Sequence, residues 1–293
     1  MSGPALFGVY VVALLAANLP VVGALIDLSR QDNTASHVVL VPFVTLVLVF
    51  WDRRAVFSSV QRAPRAGAGV ALLGLAVLAV GRRALAAGVT DALSLSVAGL
   101  VVALAGGFLF AFGARAVRAA AFPLAFLCFT VPFPEAVIAG ATQVLKNGST
   151  EVVAWLFTLT GTPYYREDYI FVLSTVAIEI ADACSGIRSS IGLLLTGLLA
   201  GYACLRRPWS RAVLLAAVLP MTILKNGIRI VALTLLAMHV DPSYLTGQLH
   251  HEGGIVFFLL ALGLLAPVLV ALQRLEVREP PIRSAPANAA AHD

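Results

Sequence analysis

The 293-residue chain is 60% hydrophobic and only 12% charged, with a mean hydropathy of +0.93, whereas soluble domains run at about 45–50% apolar and about 25% charged residues. That balance excludes a soluble globular protein and makes lipid part of the solvent. Twenty Lys and Arg against fifteen Asp and Glu leave a charge of +5, but the cations stand singly or in pairs between apolar runs, without a basic stripe or interleaved aromatics, which excludes a nucleic-acid interface.

The first apolar stretch, from Leu6 to about Ile26, lacks a basic leader, is too long for a signal h-region and is not followed by an A-x-A site, so it reads as a retained span. Further apolar runs near 38–51, 67–81, 90–113, 115–134, 186–205, 211–240 and 254–273 bring the predicted transmembrane helices to about eight. The fold class is therefore an all-α polytopic membrane protein. If the N-terminus is cytoplasmic, twelve Lys and Arg fall in cytoplasmic loops and the tail against five on the outer side. The positive-inside rule thus favours N-in and C-in, although the Arg82-Arg83 pair argues the other way.

Four regions follow: an N-terminal five-span region over 1–134, an outer-side segment over 135–183, a three-span region over 184–273, and a tail over 274–293 whose Pro- and Ala-rich composition predicts a disordered cytoplasmic end. The outer-side segment opens on the double-proline break Val131-Pro-Phe-Pro134, which cannot continue a helix. From Glu135 to Leu159 apolar positions interleave with Lys146, Asn147, Ser149 and Glu151, the pattern of an interfacial or re-entrant amphipathic helix. After Gly161-Thr-Pro163, the aromatic and β-branched run Tyr164 to Ile180 predicts a short β-hairpin before the sixth span.

Three polar features stand at the start of spans or inside one, where they are costly and so mark candidate function. Cys184 with Ser185, Gly186 and Arg188 opens the sixth span; Lys225-Asn-Gly-Ile-Arg229 lies in the seventh; His250-His-Glu-Gly-Gly254 opens the eighth. Eighteen residues separate Arg211 from Arg229, roughly 27 Å at ~1.5 Å per residue, which carries Arg229 to the outer face of a ~30 Å hydrocarbon core. Thiol, guanidinium and imidazole therefore reach one depth. A thiol beside Arg, protonated His or a helix N-terminus becomes a better nucleophile, because thiolate is the attacking form; the structural alternative is an inert buried Cys. Cys128 and Cys204 have no such polar company. Asn226 and Arg229 share a helix face, where Arg229 could stabilise an oxyanion, act on a leaving group or pair with a carboxylate, or merely snorkel to the interface. Either His250 or His251 could be a general base or acid, or both could belong to a solvated loop.

The segments Ala183-Cys-Ser-Gly-Ile-Arg188, Asn226-Gly-Ile-Arg229-Ile and His250 with Gly254, in this order on eight spans, resemble the exosortase/archaeosortase family. The resemblance extends from about Pro132 to Leu272 and includes the Pro132-Phe-Pro134 break. It implies a membrane cysteine protease or transpeptidase acting on exported proteins that carry a C-terminal tripartite signal: a short motif such as PEP, a membrane span and a basic cluster. It further implies Cys184 as acyl-thioester nucleophile, Arg229 as proton donor or orienting group and a His as third member. The family His is followed by Gly four residues on, which selects His250, with His251 as the alternative register. Arg188, Asn226, Ser185 and Gly186 would be supporting residues, and a His at this place resembles the bacterial branch. The implied location is the cytoplasmic (inner) membrane with the active site facing outward, among lipids and the sorting-signal proteins as partners. No cofactor is predicted, and metal hydrolysis is disfavoured because no H-E-x-x-H occurs and the three Cys lack zinc spacing. Two competing readings are a transporter lined by Lys225, Asn226 and Arg229 and an inactive accessory protein of polysaccharide or lipid export.

Overall fold

The computed structural model describes residues 3–58, 60–245 and 254–278. Two compact units divide the chain between Val144 and Leu145. In the first, α1 (Gly3–Ala17) and α2 (Leu19–Gln31) meet at Asn18 with a 75° bend. The apolar run that the sequence presents as one span is thus broken. Pro20 lies in the first turn of α2 and has no N–H to continue the ladder, while the buried Asn18 donates through Nδ2 to Leu14 O at 2.8 Å and accepts from Arg82 at 3.3 Å.

Next come α3 (Leu40–Trp51), the one-turn α4 (Arg53–Val56), and the long pair α5 (Pro64–Ala86) and α6 (Ala92–Ala119), the latter being the helix on which α1, α2, α4, α5 and α7 (Ala121–Leu127) pack. Glycines set the closeness of α5 and α6. Gly67, Gly74 and Gly81 recur every seventh residue on α5, and Gly99 and Gly106 do so on α6. A Cβ at Gly74 would run into the backbone of Ala103, and one at Gly106 into the backbone of Ala71. Small residues at such spacing let helix backbones touch where lipid supplies no hydrophobic drive. Gly74→Ala is accordingly expected to lower unfolding stability in detergent by about 1–3 kcal/mol through overpacking. Gly69→Ala on the same helix, where nothing lies within 4 Å of the added carbon, should cost nothing; equal effects would refute close packing as the cause.

Within α6 the backbone breaks at Gly113, with φ 85° and ψ 176°, at the boundary where hydropathy separates the fourth run from the fifth. A Cβ there would collide with Gln61 O, so both conformation and space call for glycine. After α7 a 3-10 turn (Cys128–Thr130) and the two prolines turn the chain by 92° into α8 (Glu135–Leu159), which begins in the first unit and continues in the second. Outward-facing apolar side chains such as Phe43, Leu46 and Phe50 on α3 and Leu72 and Leu73 on α5 are all more than 60% exposed, an arrangement suited to lipid and not to water.

The second unit holds the C-terminal part of α8 and a three-stranded antiparallel sheet of β1 (Tyr165–Glu167), β2 (Ile170–Val172) and β3 (Ala177–Glu179). Helices α9 (Ile187–Cys204), α10 (Pro208–His239) and α11 (Gly254–Arg278) complete it. The predicted hairpin is present as β1–β2, pairing Tyr165 with Val172 and Glu167 with Ile170, and β3 adds a strand. Phe171 on β2 is buried with Phe157 of α8 and Val231 of α10, so the sheet is fastened to both helices through one apolar cluster. A second cluster, with Leu193, Leu214, Val218 and Leu265, joins α9, α10 and α11. At the far end of α11, Glu276 accepts backbone N–H bonds from Arg206 and Arg207, each at 2.9 Å, and so caps the start of α10.

The molecule is a helical, multi-pass membrane protein. Among the described residues five helices are long and apolar enough to cross a bilayer, and up to seven spans result if each bent pair counts as one. The count of about eight is not confirmed: α3 has 12 residues, about 18 Å of helix against a ~30 Å core. Helix α11 continues through Arg278, and the remainder of the predicted disordered tail lies outside the described residues.

Candidate functional site

Cys184 lies on a one-turn 3-10 helix (Asp182–Ser185) that delivers the chain to Gly186, whose left-handed backbone (φ 74°, ψ 19°) caps the N-terminus of α9. The cap is closed by the helix itself. Ser189 Oγ and Ser190 Oγ donate to Gly186 O at 2.9 and 2.8 Å, and Ser190 N adds a backbone bond at 3.0 Å. The thiol-bearing residue therefore precedes the first free N–H groups of a helix, a place that favours negative charge.

Two neighbouring helices hold this turn. Helix α10 presents Asn226, fully buried, whose Oδ1 would lie 2.9 Å from a Cβ at Gly186 and whose Nδ2 donates to Ser149 Oγ of α8 at 3.0 Å. Lys225, 1% exposed, donates from Nζ to Ser189 Oγ at 2.6 Å. The helices α8 and α10 approach closely because a Cβ at Gly227 would run into Val152, and one at Gly148 would stand 2.7 Å from Ile223. From the α8 side Lys146 pairs with Asp182 at 2.9 Å and lies 4.2 Å over the Tyr169 ring, whose hydroxyl donates to Asn147 at 2.8 Å. The turn is thus tied at Asp182 before the cysteine and at Gly186 after it.

Ser185 is fully buried, and its Oγ has no hydrogen-bond partner among the described residues. Arg188 is exposed on the first turn of α9. Arg229 is half-buried on α10, three residues beyond Asn226 and four beyond Lys225, so it continues the face that meets the cysteine turn. The second unit therefore carries Cys184, Ser185, Gly186, Arg188, Asn226 and Arg229. His250 and His251 lie outside the described residues, and Gly254 begins α11.

The sequence alone does not place Lys225, Ser189, Ser149 or the Lys146–Asp182 pair around the cysteine. For Lys225 a signal exists, since a lysine in an apolar span is expensive enough to require a partner; its partner Ser189, 36 residues away, emerges only with the fold. A separate cavity of about 340 Å³ in the first unit is lined by Asp32, His37, Asp91, Glu135 and apolar side chains. Burial pushes the His37 imidazole below its ordinary pKa, partly offset by a bond to the Thr34 backbone. Among the described residues no group of three or more His, Cys, Asp or Glu is placed to hold a metal ion.

Comparison with protein families finds a matching family model, described as a transmembrane exosortase, over residues 29–267. Neither a search of curated proteins nor one of solved structures found a match.

Proposed function

Because the chain belongs to the transmembrane exosortase family, we propose that it is a membrane cysteine peptidase or transpeptidase that removes the C-terminal sorting signal of exported proteins, with Cys184 as nucleophile. The observation that carries this reading is the cysteine turn itself: Cys184 precedes a helix N-terminus and is braced through Gly186 by the α10 face that also bears Arg229.

In the proposed reaction the Cys184 thiolate attacks the scissile carbonyl just outside the bilayer, forming the C–S bond. The tetrahedral oxyanion collapses and the C–N bond breaks. The amine, attached to the substrate's C-terminal span, leaves with a proton delivered by Arg229 or His250, with His251 as the alternative. The acyl-thioester then passes to water or to an amine acceptor. Arg229, permanently charged, suits oxyanion stabilisation and orientation better than proton transfer, which leaves proton transfer to the histidine. Arg188, Ser185 and Asn226 support the turn. The site faces the outer side of the cytoplasmic membrane in an N-in, C-in arrangement, and the substrate helix docks with its basic end in the cytoplasm.

The test is C-terminal peptide mass spectrometry of exported and membrane proteins from the native host, with and without the gene. A set of proteins that keeps a C-terminal span only in the deletion strain is expected, and its members are the substrates. Identical C-termini in both strains would refute the reading and favour a transporter or an inactive accessory protein.

A further inference from the structure

Lys225 is a buried cation that the reaction above leaves unused. Its side chain is 1% exposed, and a buried ammonium is tolerated only with an opposite charge or well-placed acceptors. The ion pairs among the described residues are Lys146–Asp182 and Arg166–Glu151, so no carboxylate there neutralises Lys225. Its Nζ donates to Ser189 Oγ at 2.6 Å, and Ser189 Oγ donates onward to Gly186 O at 2.9 Å. Ammonium, hydroxyl and carbonyl thus form one chain that ends two residues after Cys184. A Cβ at Gly186 would lie 3.3 Å from Nζ, so the charge itself reaches the turn.

We propose that Lys225 is a positioning residue for the nucleophile: its ammonium, clamped by Ser189, is the fixed positive charge that favours the thiolate form of Cys184 and holds the turn that carries it. This rests on Cys184 being the nucleophile. The other charged and titratable groups about the turn are distributed differently. Lys146 of α8 is neutralised by Asp182, Tyr169 is engaged with Asn147, Glu179 ends β3, Arg188 is exposed on the first turn of α9, and Arg229 stands one helical turn further along α10. Lys225 is the most buried of these cations, and a buried charge is screened far less than an exposed one. Its hydrogen bond also fixes it, so the charge needs no reorganisation when the thiolate forms.

The test uses the full chain in detergent with Cys128→Ser and Cys204→Ser, which leaves Cys184 as its one cysteine. Iodoacetamide alkylation is followed by intact mass from pH 5 to pH 10. Removing the cation should raise the thiol pKa, so thiolate becomes scarcer below that pKa, and alkylation at pH 7 falls about tenfold for each pH unit by which the midpoint rises. Lys225→Gln, which keeps a donor for Ser189 but no charge, and Lys225→Met are expected to move the alkylation midpoint upward by about one pH unit. Lys225→Arg should keep most of the parent profile. Superimposable profiles for the parent and a folded Lys225→Gln would overturn the proposal. Should the neutral variants not fold, Ser189→Ala frees the ammonium without removing it. That variant is expected to lower kcat of processing with KM unchanged, and an unchanged kcat would equally overturn the clamp. Alkylation requires no turnover, so the outcome stands apart from the nucleophile assignment, whose failure would appear as unimpaired processing by Cys184→Ala.

Discussion

Cys184→Ala, at equal abundance in the membrane, is expected to leave the C-terminal span on every substrate, a loss of processing on the order of 10³-fold or more, because the proposed acyl intermediate forms on this thiol. The same proteins should be affected as in the deletion strain. Cys128→Ser and Cys204→Ser provide the contrast. Both residues are exposed, Cys128 in the 3-10 turn after α7 and Cys204 at the last residue of α9, and neither lies on the turn that Gly186 and Asn226 brace. Their substitution should leave processing within about twofold. The alanine variant should also fold. The turn is held by its flanking residues, through Asp182 to Lys146 and through Gly186 to Ser189 and Ser190. Loss of activity with an unchanged unfolding midpoint therefore reports on chemistry. Processing that survives in Cys184→Ala would remove the thiol from the mechanism, and the case for a peptidase with it.

The charge pattern around the cysteine turn is consistent with the proposed thiol chemistry. A helix N-terminus contributes roughly half a positive charge, and Lys225 and Arg229 add whole charges one turn apart on α10. The nearest carboxylate in sequence, Asp182, is held by Lys146 at 2.9 Å, which mutes its opposing field. The net local field is positive, which favours the thiolate over the neutral thiol.

Much of this arrangement can be read from sequence because punctuation is strong. Pro132 and Pro134 before Glu135, and Gly161 and Pro163 after Leu159, delimit α8. Two contiguous motifs place Cys184 just before α9 and Asn226 and Arg229 within α10, since helical rise converts sequence distance into depth. Lateral neighbours are another matter. Nothing in the order of residues says that Ser149 meets Asn226 or that Lys225 meets Ser189, because each pairing joins helices across 77 or 36 residues. The heptad of glycines on α5 is equally silent until α6 lies against it. Hydropathy also cannot see a bend. Leu6 to Ile26 is apolar throughout except Asn18, and the break comes from one proline and one amide that together change the average almost not at all. The histidine remains an assignment by motif alone, as His250 and His251 lie outside the described residues.

Gly186→Ala should be nearly as damaging as loss of the thiol, though it removes no reacting group. Two independent penalties meet at this residue. The left-handed backbone at φ 74° costs a non-glycine residue roughly 1–2 kcal/mol. The added methyl would also stand 2.9 Å from Asn226 Oδ1, closer than real carbon contacts allow, and Asn226 cannot retreat because it is fully buried and bonded to Ser149. The turn must yield instead, carrying the Cys184 backbone with it, and a displacement of about 1 Å at a reacting centre can lower the rate about 10²-fold. Processing by Gly186→Ala is therefore expected to fall about 10²-fold in kcat with KM little changed, with a loss of stability of about 1–3 kcal/mol. Shortening the obstacle separates the two causes. In Gly186→Ala combined with Asn226→Ser the contact is relieved while the backbone strain persists, so part of the lost rate should return compared with the sum of the single variants. Strict additivity of the two substitutions would show that Asn226 does not brace the cysteine turn, and an active Gly186→Ala would show that the left-handed cap is not what holds the nucleophile in place.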